Sequence, residues 1–180
     1  MQAVTAQDVH RFWFGSERKA WFEKNPAFDD EIRRRFLSLY EHGAAGKLAS
    51  WQQAPADCLA LVILLDQFPR NMFRGSARAF AADALALEAA RHALAMRFDQ
   101  RLSIDERTFL YLPFEHSESL ADQQQACELM KPLGGEVYDY AVRHKAIIER
   151  FGRFPHRNAA LGRASTPEEI AFLKTPGSTF

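Results

Sequence analysis

The feature that most constrains the fold is an uninterrupted apolar run, Cys58 to Leu65, which lies between Pro55 and Pro69. Proline is favoured in the first turn of a helix and unfavourable in its interior, so we predict one helix that Pro55 begins and Pro69 ends. A helix that is apolar on every side has no face for water and must be surrounded by other elements. The run is also far shorter than the roughly 20 residues of a membrane span.

The surrounding elements are predicted to be helices as well. No stretch of β-branched residues alternates with polar residues, and no Asn-Gly or Asp-Gly hairpin turn occurs. Helix starts and stops recur instead, with Pro113 expected to end a short helix. Among the predicted N-caps are Asp29 or Asp30, Ser117 and Thr166. We therefore predict an all-α fold of about seven or eight helices, stacked as antiparallel hairpins in a tetratricopeptide-like arrangement.

Length and composition fit one globular domain over residues 1–180. Lys and Arg number 23, as do Asp and Glu, so the formal net charge is zero. Nucleic-acid binders usually carry a basic excess, so we expect no nucleic-acid partner. The first residues lack the apolar core of a signal peptide, and Cys58 and Cys127 lie in apolar stretches, which favours a reducing compartment. We expect a cytoplasmic protein with no membrane partner and no cofactor, and the oligomeric state stays open.

A short phrase occurs at two helix exits, in Leu65–Asn71 and in Phe151–Asn158. Each copy joins Phe-Pro to an Arg and an Asn, which are residue types that bind carboxylates, phosphates and backbone amides. Proline and glycine alone would end a helix, so the Arg and Asn exceed what helix termination needs. The residues predicted to bind a ligand are Arg70, Asn71, Arg153, His156, Arg157 and Asn158.

Asp66 is predicted to need a cationic partner. A carboxylate at the carboxyl end of a helix faces the negative end of the macrodipole, at a cost of roughly 0.3–1 kcal/mol. Burial raises that cost unless a cation lies beside it. We expect an arginine partner, and the candidates are Arg70, Arg74, Arg153 and Arg157. A structural ion pair is the alternative to a role in a site.

A second candidate site lies in Tyr111–Glu118. Here His116 could act as a general base or a ligand, oriented by Glu115 or Glu118. A helix cap at Ser117 would explain Ser117 and Glu118, but not Glu115 and His116. The candidate catalytic residues are His116, Glu115 and Asp66.

His144 is predicted to be a core residue. It lies at helical spacing with apolar neighbours, and a lone histidine on such a face is more often a satisfied core residue than a ligand. The histidines and cysteines show no spacing typical of a metal site, so none is predicted.

Although the net charge is zero, the chain contains an acidic block that is followed by a basic block. Residues 108–130 contain four carboxylates and no Lys or Arg, whereas residues 143–163 contain six Lys or Arg and only Glu149 as an acid. We expect these blocks to neutralise each other for the most part, with a residual positive pocket.

Three segments in order resemble a largely bacterial family of unknown function, domain of unknown function 924. They are Leu65–Asn71, Tyr111–Glu118 and Phe151–Asn158, supported by Phe12–Gly15 and by the residues from Leu161 to Glu169. The resemblance implies an all-helical, tetratricopeptide-like fold, and it implies no activity and no catalytic residues.

Three hypotheses for function follow. The first is a helical binding module with an Arg- and His-lined pocket for an anionic small molecule or an acidic or C-terminal peptide. The alternative is a small hydrolase or transferase that uses His116 with Asp66 or Glu115 and with Arg153 or Arg157. A third is a structural protein whose ion pairs are all internal. If every arginine pairs with an internal carboxylate, the first two hypotheses become less favoured.

Overall fold

A computed structural model describes residues 4–178, and all regular structure in that range is helical. This confirms the all-α prediction. The nine α-helices of these residues are α1 (Ala6–Phe14), α2 (Arg18–Phe22), α3 (Pro26–Ala44), α4 (Pro55–Met72), α5 (Asp83–Ala95), α6 (Ile104–Glu115), α7 (Leu120–Met130), α8 (Gly135–Phe151) and α9 (Pro167–Phe172). Short 3₁₀ turns occur between them at Ala49–Gln53, Ala77–Phe80, Phe98–Arg101, Lys131–Leu133 and Pro155–Arg157.

The chain forms two compact units. The first unit contains the residues up to Arg74 together with Arg78–Pro113, and the second contains Gly75–Ala77 together with the residues from Phe114 onward. The single domain and the stacked helical hairpins stay predictions.

Helix α4 is the centre of the first unit, where it packs against α1, α3 and α5. Every residue from Cys58 to Pro69 is buried, as the apolar run predicts. Helix α3 approaches closely at Gly43, because a Cβ atom there would lie 3.3 Å from side-chain carbons of both Leu64 and Leu65. The missing side chain thus leaves room for the apolar face of α4.

The prediction that Pro69 and Pro113 end helices is wrong. Helix α4 continues to Met72, and α6 continues to Glu115. A proline inside a helix removes one backbone hydrogen bond. At the end of α4 the Arg70 guanidinium donates to the backbone carbonyl of Asp66 at 2.7 Å, which adds a hydrogen bond in the turn that Pro69 weakens.

The N-caps agree only in part with the sequence analysis. Asn25 caps α3, since its side-chain oxygen accepts from two backbone N–H groups at 3.1 and 3.2 Å, so the prediction of Asp29 or Asp30 is wrong. A short polar side chain directly before Pro26 provides the stronger start signal. The cap at Thr166 is confirmed, and Glu169 completes its capping box.

In the second unit, α7 packs against α8. Ile147, Ile148 and Phe154 form a buried apolar cluster, and Phe151 and Phe172 pack against it. Within residues 4–178, no helix combines the length and the apolar character that crossing a lipid bilayer requires.

Candidate functional site

The end of α4 carries the first polar cluster, which we call the α4-end cluster: Asp66, Arg70 and Asp83. Asp66 is 0% exposed, and its carboxylate lies 3.3 Å from the Arg70 guanidinium. Arg70 also donates to both oxygens of Asp83, at 2.8 and 3.0 Å. Burial opposes the charge of Arg70, yet Asp66 and Asp83 together raise its pKa above the ordinary value. The predicted arginine partner of Asp66 is confirmed and is Arg70.

A second carboxylate at this helix end is held just as firmly. Asp29 accepts from the Asn71 amide at 2.8 Å and from two guanidinium nitrogens of Arg74, at 2.6 and 2.9 Å. Arg70 and Asn71, two residues predicted to bind a ligand, therefore both bind carboxylates of the first unit.

The same arrangement recurs at the start of α9 in the second unit. Glu169 is 2% exposed and accepts from two nitrogens of Arg153, at 2.7 and 2.9 Å. The Thr166 backbone N–H donates to it at 2.8 Å, and the Asn158 amide at 3.2 Å. The Arg153 hydrogen bonds, followed by that from Thr166, lower the pKa of Glu169 to about 2. Arg153 and Asn158 thus hold the capping glutamate of α9.

Glu118 brings two of the three sequence segments together. Its carboxylate accepts from Arg163 at 2.7 and 2.9 Å and from the Phe154 backbone N–H at 2.8 Å. Burial opposes the charge of Glu118, but Arg163 and the Phe154 N–H hold its pKa below the ordinary value, and Arg157 adds to this. The expected neutralisation between the acidic and basic blocks is confirmed at this pair.

The N-cap of α7 lies two residues after Ser117, the residue predicted for it. Helix α7 begins at Leu120 with Ser119 in the N-cap position, so the prediction of Ser117 is wrong. Ser117 instead donates to Asp122 at 2.7 Å and accepts from the Ser119 backbone N–H at 3.2 Å. Its hydroxyl organises the turn between α6 and α7.

A group of imidazoles forms the second polar cluster. The histidine cluster contains Glu115, His116, His144, His156 and Arg157, and three of these side chains lie against the ring of Phe154. The His144 and His156 rings each lie 5.6 Å from the Phe154 ring, and the Arg157 guanidinium lies 4.5 Å from it. The His116 and His144 rings are 6.3 Å apart. These side chains come from the last residue of α6 and the residue after it, from the middle of α8, and from the 3₁₀ turn Pro155–Arg157.

The chemistry of the cluster is clearest at His144, which is 4% exposed beside Glu115, which is 3% exposed. His144 Nδ1 lies 2.9 Å from the Tyr140 carbonyl oxygen and 3.1 Å from Glu115 Oε1. Burial, then the imidazole of His116, and then His156 and Arg157 lower the pKa of His144 to about 3, although the hydrogen bond to Tyr140 opposes this. At neutral pH the group in contact with Glu115 is therefore a neutral imidazole.

The backbone that presents Glu115 and His116 is held by Gln123. This fully buried side chain donates to the Glu115 carbonyl at 2.6 Å and to the Ser117 carbonyl at 2.7 Å. His116 and His156 are partly exposed, whereas Glu115, His144 and Arg157 are buried. The cluster therefore has a buried half and a half that reaches solvent.

The comparison with protein families decides the identity of the chain. The family described as "Bacterial protein of unknown function (DUF924)" matches residues 9–177. The chain belongs to this family. A solved structure of a protein of unknown function from Agrobacterium tumefaciens is 46% identical, covers 94% of this chain and 96% of its own, and superposes with a TM-score of 0.92. No curated protein that was compared with the chain matches it.

The DUF924 chain brings together some of its predicted site residues. His116, Glu115, His156 and Arg157 lie in one cluster of the second unit, while Arg153 and Asn158 lie around Glu169. His144 was predicted as a core residue and is buried, but its contact with Glu115 was missed. Helical spacing indicates which face a residue takes, and it contains no signal for a partner on a different helix.

Two further observations limit the site. Two surface concavities of the described residues lie beside α2 and beside Trp51, and neither contains a residue predicted to bind a ligand. Within residues 4–178, no group of three His, Cys, Asp or Glu side chains is placed to hold a metal ion.

Proposed function

We propose that this DUF924 protein is a binding module whose second unit holds a small anionic molecule at the histidine cluster. The observation that carries the proposal is that three basic side chains, His144, His156 and Arg157, surround the single ring of Phe154. Arginine and protonated histidine bind carboxylates and phosphates through charge-assisted hydrogen bonds. A tetratricopeptide-like fold and a cytoplasmic location remain part of this proposal.

The electrostatics of the cluster favour an anion. After burial, the neighbours that lower the pKa of His144 are His116, His156 and Arg157, all of them basic. Arg157 also contributes to the low pKa of Glu118, after Arg163 and the Phe154 N–H. Basic side chains contribute positive potential at this cluster, and a positive potential raises the local concentration of anions.

Several arginines outside this cluster are held by carboxylates of the chain. Among them, forked pairs with buried or partly buried carboxylates are made by Arg70, Arg74, Arg153 and Arg163. Such pairs favour an internal role for them, as the structural hypothesis expects. We assign ligand contacts to His156, Arg157 and His116 because they belong to the histidine cluster, and ligand binding by Arg70, Asn71, Arg153 and Asn158 stays a prediction.

Ligand-induced stabilisation tests the proposal. Thermal unfolding of the full chain would be measured with inorganic phosphate, sulfate, citrate and a peptide with an acidic C-terminus. A ligand that binds only the folded chain stabilises it by about 2.7 kcal/mol at a concentration of 100 times its Kd. We expect one of the first three anions to stabilise the wild type, and a response to the peptide alone would replace the small molecule with a peptide partner.

Paired variants separate the cluster from general surface charge. His156→Gln and Arg157→Gln should each weaken binding about tenfold or more, since a hydrogen bond to a charged group contributes about 1.5–3 kcal/mol. The matched controls are His42→Gln and Arg143→Gln, which remove the same residue types from exposed positions on α3 and α8. Stabilisation that survives in both cluster variants, or that no probe produces, would contradict the proposal.

A second candidate function is a small hydrolase or transferase, and one observation favours it. A carboxylate that orients an imidazole, as Glu115 does for His144 at 3.1 Å, is the arrangement of a general base. His144 would then take the part that the sequence analysis gave to His116, and Arg157 would stabilise developing negative charge. The test is turnover of generic ester and phosphomonoester substrates, and turnover that persists in His144→Gln would exclude this assignment.

A further inference from the structure

A cavity in the first unit shares no residue with either polar cluster. It lies between the start of α1, the 3₁₀ turn Ala49–Gln53 and the first turn of α4, and it has a volume of about 390 Å³. We call it the Trp51 cavity, and it is lined by residues 4–7, Leu48, Trp51 and Asp57. Sites for small molecules commonly have volumes of about 300–1,000 Å³. The Trp51 cavity is therefore large enough for one small molecule.

Asp57 gives the Trp51 cavity a negative charge. It is the charged residue of the lining and is partly exposed, and within residues 4–178 its carboxylate has no hydrogen bond and no ion pair. A carboxylate in the first turn of a helix complements the positive helix end, which gives Asp57 a structural use as well. At the starts of α1 and α9, however, Asp8 and Glu169 also close capping boxes. The carboxylate of Asp57 makes no such bond and stays accessible to a cation in the cavity.

Trp51 adds an aromatic face to the same cavity. It is partly exposed, and in the described part of the chain its indole makes no ring contact and no hydrogen bond, whereas Trp13 and Trp21 stack on each other. Tryptophan attracts cations more strongly than other aromatic side chains do, because the face of its ring is negative. The apolar side chains of Val4 and Leu48 also line the cavity. Carboxylate, indole and hydrocarbon together fit a cation that has an apolar body.

We propose that the Trp51 cavity binds a small organic ammonium ion, whose charge lies at Asp57 and Trp51 and whose apolar body packs toward Val4 and Leu48. The contact with Asp57 is an ion pair in which the ammonium donates hydrogen bonds, and the contact with Trp51 is a cation–π interaction. Asp57 would repel an anion, and a neutral molecule of the same shape would lose both charged contacts. The inference does not depend on the proposed function, which concerns anions at the histidine cluster.

Three probes with one phenylethyl body test the charge preference: phenethylamine, 2-phenylethanol and 3-phenylpropionate. Near neutral pH they are cationic, neutral and anionic. NMR titration of the full chain would follow the indole N–H resonances of the three tryptophans, and the Trp51 signal is identified by its loss in Trp51→Leu or Trp51→Phe. We expect phenethylamine to shift the Trp51 signal and to bind more tightly than 2-phenylethanol, which in turn binds more tightly than 3-phenylpropionate.

Variants of the two polar contacts test the residues themselves. Each contact lies at a partly exposed position, so Asp57→Asn and Trp51→Leu should each weaken phenethylamine binding by about two- to fivefold, measured from the backbone amide shifts of the cavity. Trp51→Phe keeps an aromatic face and should lose less than Trp51→Leu. The matched control is Asp139→Asn, which removes the same charge from an exposed position on α8 and should leave binding unaltered.

The probe series on the wild type decides the inference even where a variant does not fold. Binding of 2-phenylethanol or 3-phenylpropionate as tight as that of phenethylamine would overturn it, and so would the lack of a shift of the Trp51 signal with every probe. If Asp57→Asn lowers the free energy of unfolding but leaves phenethylamine binding unchanged, Asp57 serves only the start of α4 and the inference fails. None of these results bears on the anion titrations that test the proposed function.

Discussion

The α4-end cluster and the histidine cluster use similar residues in opposite proportions. At the end of α4 two carboxylates, Asp66 and Asp83, surround one guanidinium, that of Arg70. In the histidine cluster of the second unit, three imidazoles and the Arg157 guanidinium accompany the carboxylate of Glu115, which contacts His144. The Phe-Pro phrase with its Arg and Asn is thus no marker of a ligand site by itself. The ratio of basic to acidic side chains near each phrase distinguishes a cluster of internal ion pairs from a candidate site.

The largest expected effect comes from removing a carboxylate of the α4-end cluster. In Asp66→Ala the fully buried carboxylate is lost and Arg70 keeps only part of its compensation, so the free energy of unfolding should fall by roughly 3–5 kcal/mol. Urea unfolding measures this. The counterpart in the second unit is Glu118→Ala, whose partner Arg163 is partly solvated, and we expect a loss of about 1–2 kcal/mol. Equal losses would contradict the distinction between the two regions.

The next largest effect should be a loss of stability at acidic pH, caused by His144 in the histidine cluster. The pKa of His144 is about 3 in the folded chain and 6.5 ordinarily, so the fold favours the neutral ring. Its contribution to stability is complete above pH 6.5 and is lost as the pH falls toward 3, because the unfolded chain takes up the proton first. The loss approaches about 1.4 kcal/mol per pH unit.

Unfolding by urea between about pH 6 and 5, a window in which most carboxylates remain ionised, measures that slope. In His144→Gln the free energy of unfolding should depend less steeply on pH, by close to the contribution of one proton. The exposed His42, changed to Gln, serves as the control and should leave the slope as it is. A slope that His144→Gln does not alter would show that His144 titrates normally.

A smaller effect is expected at the start of α9. Arg153→Gln removes the guanidinium that contributes most to the low pKa of Glu169, so that pKa should rise from about 2 toward 4.5. The stabilisation present above pH 4.5, which is lost as the pH falls toward 2, should shrink accordingly. Carboxyl NMR titration follows Glu169 directly. Arg150→Gln, beside the exposed Glu168, should not move it.

The smallest effect should come from a surface pair of the same chemical type. Arg150 and Glu168 lie 2.9 Å apart, but both side chains are more than half exposed. Water screens such pairs, so a double-mutant cycle should give a coupling of less than about 1 kcal/mol. A coupling as large as the loss in Asp66→Ala would mean that burial does not explain the difference between internal and surface pairs.

Local signals made part of this architecture predictable. The apolar run of α4 indicated an enclosed helix, and the Thr166 capping box with Glu169 marked the start of α9, because both depend on neighbouring residues. The pair of Asp66 and Arg70 has the four-residue spacing of one helical turn and was among the candidates.

Contacts between distant residues were beyond such signals. Asp29 binds Arg74 across 45 positions, and Glu115 contacts an imidazole on another helix. Neither contact has a periodicity that a single sequence could reveal. The end of α4 was predicted wrongly for a similar reason. Proline tends to break a helix, but the Arg70 side chain adds a hydrogen bond to the Asp66 carbonyl, and a sequence pattern does not reveal where that side chain reaches.

The hydrogen bond from Arg70 to its own helix also bears on the order of assembly. It closes a loop of four residues, and the contact with Asp83 closes one of 13, whereas the pair of Glu118 and Arg163 spans 45. Short loops cost less chain entropy to close and close sooner. We therefore expect the end of α4 to gain protection early during refolding, before the contacts of Glu118 and Arg163 form.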